Sequence, residues 1–368
     1  MRFAALPEVT EYFGRRHKKT AEGHFRKAQG LTFSSIGLGS YLGREDAATD
    51  KEYEAAVLRA LELGCNHYDT AINYRGQRSE RAIGAALHKA FAEGKASRQE
   101  VIVATKVGYL SVDAESKHSP REYIRRTFLD TGVCKPQDIV AGCHCMTPNY
   151  IRHQLDRSLK NLGLYTIDIY YLHNPETQLS EVSRKEFLER IRRAFETLEE
   201  AVVAEKICYY GTATWNGYRV SPKDMDYLSL QELVDIAREV AGDEHHFRFI
   251  QLPYNLLMSE AFVFENQTTG GGTFSILAAA QQLGISVIAS ASIMQARLAR
   301  SFPAGMRSQI QGLKTDAQRA IQFVRSTPGI TAALVGMSKV AHVEENLQTA
   351  TVPPMSAEQV INLLQKQR

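Results

Sequence analysis

Apolar and polar positions alternate along the chain in two periods that take turns. From residue 33 onward, short runs rich in β-branched and aromatic residues are each followed by a longer stretch with apolar residues at helical spacing. The strand candidates are FSSIGLGS (33–40), CNHYDTA (65–71), VIVATKV (101–107), IDIYYLH (167–173), ICYYGTA (207–213), FRFIQLPYN (247–255), SVIASAS (286–292) and AALVGMS (332–338). Between them, KEYEAAVLRALELG places Tyr53, Ala56, Val57, Ala60, Leu61 and Leu63 close to helical spacing and stops on Gly64, a residue suited to the left-handed position just past a helix end. PNYIRHQLDRSLKNLG stops in the same way on Gly163, and SRKEFLERIRRAFETLEEAVV and LSLQELVDIAREVAG repeat the pattern.

Strands alternating with helices imply parallel βαβ units with right-handed crossovers. Eight of them predict a closed (β/α)8 TIM barrel over residues 30–350, with an open doubly wound sheet as the alternative. Against the open sheet, the glycines of GLGSYLG after the first strand are at 37, 39 and 43, which is not the G-x-G-x-x-G spacing of a dinucleotide-binding turn. Four further stretches are predicted outside a minimal barrel. Residues 1–29 form an N-terminal arm or a short bottom-covering hairpin, and residues 351–368 form a C-terminal tail helix. Residues 108–147 are a long insertion after the third strand, containing the helix-like SPREYIRRTFLDTG, and read as a lid or top-face excursion. FENQTTGGGTF (264–274) reads as a mobile loop.

Composition narrows the function classes. With 368 residues, 44% hydrophobic and 23% charged, the chain is long enough for a large core. A formal net charge of +3 and the lack of a Lys/Arg stripe with interleaved aromatics do not favour nucleic acid as a partner. No apolar run is long enough to span a bilayer, and MRFAALPEVTEYFGRRHKKT has no apolar core of a secretory signal. Five cysteines, an odd and sparse count, suggest reduced thiols and a cytoplasmic location. Cys143-His144-Cys145 lacks zinc-knuckle spacing, so no metal is predicted and His144 reads as an ordinary loop histidine.

In a barrel, chemistry sits at the C-terminal ends of the strands. There the chain places Asp69, Tyr74, Lys106 and His173. Each alone has a bland reading as a turn cap, a solvated amine or a strand end; together they suit general acid catalysis. A phenol near pKa 10 is a poor acid at neutral pH, and a nearby ammonium would lower that value. Asp69 can hold the ammonium in an ion pair, and the imidazole can orient a carbonyl oxygen. Such a set protonates a carbonyl oxygen as hydride reaches the carbon, or runs in reverse on an alcohol.

The segments GLGSY, YDTAINY, SERAIG, ATKVG, SLKNLGLYTIDIYYLHNP, YYGTATWN, IQLPYN and VGMSKVAHVEENL occur in an order that resembles the aldo-keto reductase superfamily, over roughly residues 30–350. The long insertion looks more like the bacterial sugar- and aldehyde-dehydrogenase branches. The resemblance implies that Tyr74 is the proton donor, with Lys106 its partner, Asp69 the carboxylate paired to the lysine and His173 the substrate-orienting histidine. It implies NADP or NAD extended across the barrel mouth. Gly39, Ser40, Thr214, Gln251, Ser290, Gly336, Met337, Ser338, Lys339, His342, Glu345 and Asn346 would bind it, with Gln251 at the nicotinamide and Glu345 and Asn346 at the adenine. The substrate, a small carbonyl compound or alcohol, would face Tyr41, Asn174 and Trp215. The chain departs from the family at Ala213-Thr214, where Ser-Asn or Ser-Arg is usual. It departs again at Ser290, where an aromatic ring commonly stacks on nicotinamide, and at His342, where an arginine commonly meets the 2′-phosphate and Lys339 is the nearest cation. These departures keep two other readings open: a non-catalytic regulatory relative, and an isomerase or epimerase with a tightly held cofactor.

Overall fold

The structure, a computed structural model, describes residues 4–365. The first three residues of the expected arm and the last three of the expected tail helix lie outside the described residues. Eight strands form a closed parallel barrel: β1 (Ile36–Gly39), β2 (His67–Asp69), β3 (Ile102–Val107), β4 (Ile167–His173), β5 (Ile207–Ala213), β6 (Phe247–Pro253), β7 (Ser286–Ser290) and β8 (Ile330–Gly336). They pair in chain order, and β8 closes on β1 through Ala333↔Ile36 to Gly336↔Gly39. The eight helices that follow are α1 (Ala47–Glu62), α2 (Arg78–Ala92), α3 (Pro148–Leu162), α4 (Arg184–Val203), α5 (Leu230–Ala241), α6 (Ile276–Gln282), α7 (Asp316–Ser326) and α8 (Val340–Leu347). This is the expected (β/α)8 barrel. Among the described residues no helix is long and apolar enough to cross a membrane.

Strand periodicity explains why the chemistry gathers at one end. Alternate residues face the barrel axis. On β3 these are Ile102, Ala104 and Lys106; on β4 they are Ile169, Tyr171 and His173. Ile102, Ala104, Ile169, Tyr171, Phe249, Ile288, Ala332 and Leu334 form the barrel's inner apolar cluster. The next inward position toward the strand ends turns polar, giving Lys106, His173, Gln251 and Ser290 one layer above it. The floor is apolar and the rim carries the donors.

The bottom end is closed by an antiparallel hairpin, Phe25–Ala28 with Leu31–Ser34. Gln29 and Gly30 at its tip have φ of 49° and 80°, the pair of positive angles that a type I′ turn needs. Phe33, fully buried, meets Phe249 at 5.8 Å and His67 at 5.3 Å between ring centroids. The run 33–40 is therefore not one strand but two, broken at Ser35, whose N–H donates to His24 O at 2.6 Å. The helix Pro7–Arg16 packs Phe13 against Phe25 and accepts Thr32 N–H on Thr10 Oγ1 at 3.0 Å.

The segment 264–274 is an ordered hairpin, Glu265–Thr269 with Gly272–Ser275, not a loop. Its side chains account for the order. Asn266 Nδ2 donates to Tyr218 O and Val220 O; Gln267 accepts Leu230 N–H and donates to Leu228 O. These bonds fasten the 216–230 segment beside it. The 108–147 insertion is held mainly to the side: Tyr123 and Phe128 pack toward α3, with Phe128 5.3 Å from Tyr150 and 5.6 Å from His153. Its two ends pair at Tyr109↔His144 under the barrel rim. The helix Ala357–Gln365 completes the described tail.

Candidate active site

β2 ends on Asp69, and the chain then folds back on itself. Buried Ala71 and Ile72 anchor the turn, Tyr74 N–H donates to Ala71 O at 3.0 Å, and Arg75 and Gln77 take left-handed φ. The turn swings the Tyr74 ring over the strand end. Lys106 Nζ, from β3, donates to Asp69 Oδ1 at 2.5 Å and to Thr70 O at 2.8 Å, and lies over the Tyr74 ring at 5.1 Å from its centroid. Lys106 is 1% and Asp69 4% exposed, so the pair is desolvated. The second carboxylate oxygen accepts Gln251 Nε2 at 2.8 Å. The His173 ring lies edge-on to Tyr74 at 5.8 Å. The acid and the phenol thus share one turn with the ammonium between the carboxylate and the ring.

The protonation states follow from burial. Burial, then the Asp69 charge, push the Tyr74 phenol well above its ordinary value. The net direction is opposite to the expected lowering: Lys106 donates to Asp69 and Thr70, and burial with the Asp69 charge prevails at the phenol. Burial, opposed by Asp69, holds the Lys106 amine below its ordinary value. Burial, then the charge of Lys106, hold His173 well below its ordinary range, so the imidazole is neutral.

These groups open onto a cavity of about 850 Å³ across the barrel mouth. Its wall includes Asp69, Tyr74 and His173 of the catalytic set; Gly39, Ser40, Thr214, Gln251, Ser290, Gly336, Ser338, His342, Glu345 and Asn346 of the expected cofactor set; and Tyr41, Asn174 and Trp215 of the expected substrate set. Lys106 sits beneath the wall. Met337 does not reach it, because its side chain is fully buried in the core between Gly336 and Ser338. Lys339 does not line it either; it is the exposed N-cap residue of α8. The wall also includes Ala296 and Ala299, which neighbour the exposed Arg297 and Arg300 in sequence.

Several wall and support residues were not expected. Tyr109, the one residue of 108–147 on the wall among the described residues, accepts Asn174 Nδ2 at 3.0 Å on its hydroxyl and stacks edge-on to His173 at 5.1 Å. His144 is no ordinary loop histidine. It is 1% exposed and contacts His173 O through Nε2 at 2.8 Å, while Gln178 Nε2 donates to its Nδ1 at 2.8 Å. The Gln178 bond makes Nδ1 the acceptor and Nε2–H the donor. Gly108 leaves room for this: its φ is 152°, and a Cβ there would lie 2.6 Å from both His144 Nε2 and His173 O. The Gly-Tyr pair directly after β3 was the available signal.

The sequence pattern of the aldo/keto reductase family matches residues 35–303, and the chain belongs to that family. It is similar to L-glyceraldehyde 3-phosphate reductase of Escherichia coli, 25% identical over 85% of this chain and 82% of that protein. It is also similar to a putative voltage-gated potassium channel subunit beta of Schizosaccharomyces pombe, 27% identical over 55% of this chain, and spans about half (48%) of that relative's length. A Klebsiella pneumoniae aldo/keto reductase solved with NADP and acetate superposes with a TM-score of 0.63 at 20% identity, covering 94% of this chain and 95% of that one.

Proposed function

We propose that the protein is a nicotinamide-dependent oxidoreductase acting on an uncharged aldehyde or ketone, or on the corresponding alcohol. The observation that carries this reading is the convergence of Tyr74, the Asp69–Lys106 pair and His173 on one cavity. The residues present fit a dinucleotide. Gly336 lines the cavity with open space where a Cβ would stand, and the buried Thr214 Oγ1 has no partner within the protein. Gly39, Ser40, Ser338, His342, Glu345 and Asn346 would hold the adenine and phosphate end, with backbone N–H groups at the start of α8 suited to a phosphate; Thr214, Gln251 and Ser290 would hold the nicotinamide end. NADP or NAD would supply or accept the hydride there.

The chain's own side chains handle the proton. Tyr74 stays protonated near neutral pH and donates its Oη proton to a carbonyl oxygen held against it. Lys106, fixed by Asp69, offers a positive charge beneath the ring as negative charge develops on that oxygen. Neutral His173, held by His144, directs its ring edge at the same place and orients the carbonyl. Among the described residues no Lys or Arg lines the cavity, while Tyr41, Tyr109 and Trp215 wall its substrate side. An uncharged, partly apolar substrate suits that wall, and a phosphorylated or carboxylated one finds no cation. The similarity to a putative channel subunit favours a second, regulatory reading; presence of all four catalytic residues argues for turnover. The test is cofactor absorbance at 340 nm with NADPH and NADH against a panel of neutral aldehydes. Consumption supports the proposal, and binding without consumption supports the regulatory reading.

A further inference from the structure

We propose that Glu176 is a positioning residue whose buried carboxylate clamps the loop after β5 and so sets Trp215 as the substrate wall; this rests on the carbonyl-reductase reading above. Glu176 follows His173-Asn174-Pro175 on the short 3-10 turn Pro175–Ser180 and is 6% exposed. Its Oε1 accepts the backbone N–H of Trp215 at 2.9 Å and of Asn216 at 3.2 Å. One carboxylate oxygen from the β4 loop therefore holds two consecutive peptide units of the β5 loop. A backbone hydrogen bond reinforces the same junction: Asn174 N–H donates to Ala213 O at 2.6 Å. From the solvent side, Arg219 Nε donates to Trp215 O at 3.1 Å.

The placement is costly. Glu176 Oε2 is buried and has no hydrogen-bond partner, and an unpaired buried carboxylate oxygen opposes folding. What the arrangement secures is the relative position of two loops that both face substrate. Asn174 comes from one, Thr214 and Trp215 from the other, and all three line the cavity. Trp215 is 47% exposed, and the backbone clamp sets the position from which its indole projects onto the cavity wall. A wall residue displaced by about 1 Å can cost up to about a hundredfold in rate.

Trp215 is the single tryptophan of the chain, so its fluorescence reports this loop alone. The experiment compares Glu176→Ala and Glu176→Gln in the full-length protein, each with folding checked by circular dichroism. Glu176→Ala is expected to red-shift the emission, raise acrylamide quenching about twofold and raise KM for a neutral aldehyde about tenfold, with kcat changed less. Glu176→Gln keeps a carbonyl oxygen for both N–H groups and is expected to rescue quenching and KM to within about threefold. Glu176→Asp, which withdraws the oxygen by one methylene, gives the same changes in smaller degree and serves if the alanine variant does not fold. Unchanged quenching and KM in Ala or Asp, or a Gln variant as impaired as Ala, would overturn the clamp. If the wild type turns over no carbonyl compound, the proposed function fails, while the quenching comparison still decides the clamp.

Discussion

Replacing Lys106 by Met removes one half of the most deeply buried ion pair at the barrel rim. The structure sets the scale. Nζ lies 2.5 Å from Asp69 Oδ1, and the side chains are 1% and 5% exposed, so water screens the pair little. After the change Asp69 retains Gln251 Nε2 at 2.8 Å, and Thr70 O loses the Nζ donor. Breaking a buried pair from one side costs about 3–5 kcal/mol, because the remaining charge is stranded. Asp69→Leu strands the ammonium instead and should cost a similar amount. The double variant Asp69→Leu/Lys106→Met strands neither, and should be less destabilised than the sum of the singles by at least about 2 kcal/mol. Urea unfolding at pH 7.5, followed by circular dichroism, measures all four corners of the cycle. Additivity within about 0.5 kcal/mol would refute the reasoning, since the two groups would then not be acting as a desolvated pair.

Other expectations follow from the same geometry. His144→Leu strands His173 O and the Gln178 amide, and should cost about 1–3 kcal/mol of stability with a fall in kcat; unchanged thermal unfolding would contradict the support assigned to it. Burial pushes the Glu176 carboxyl up from 4.5 to about 7. A raised folded-state pKa means stability that is complete below 4.5 and lost as pH rises through 7, here by about 3 kcal/mol. Glu176→Gln should therefore gain on the wild type between pH 4.5 and 7.5 in urea unfolding, and a pH-independent difference would exclude the titration. With Lys339 off the cavity wall and, among the described residues, no Lys or Arg on it beside His342 and Glu345, NADPH should bind less than about tenfold better than NADH in fluorescence titration. A larger preference would locate the phosphate elsewhere, and its loss in an Arg297→Ala or Arg300→Ala variant would identify the helix Arg297–Arg300.

The barrel was legible because each strand carries its signal locally. β-branched runs followed by helical spacing recur eight times, glycine stops such as Gly64 and Gly163 close some of the helices, and the inward alternation that ends in Lys106 and His173 is written in the strands themselves. Two errors came from turns and partners. A bottom-covering hairpin was one of the two readings of the N-terminal stretch, but its second strand was merged with β1 in the run 33–40, because the apolar pattern continues across Ser35 and the tip Gln29-Gly30 lacks the Asn or Asp that marks most such turns. Residues 264–274 read as a loop because their order depends on Asn266 and Gln267 reaching backbone on a different segment. At the site, strand-end residues were readable by position, whereas His144 and Glu176 act through contacts 29 and 39 residues away, which no local pattern displays. The protonation of Tyr74 departs from the expectation for a related reason: burial and the nearby Asp69 charge raise the phenol, and neither is visible before the chain folds.

Tyr74→Phe tests the central claim most directly, because it removes the Oη proton and leaves the ring, the Asp69–Lys106 pair and the cavity wall in place. Steady-state turnover of a neutral aldehyde and cofactor titration should be measured on the same preparation. The account predicts turnover lower by about 10²–10⁴-fold with dinucleotide affinity within about twofold of the wild type. Turnover at the wild-type rate with intact binding would show that the proton comes from another group, and would contradict the mechanism proposed for this site.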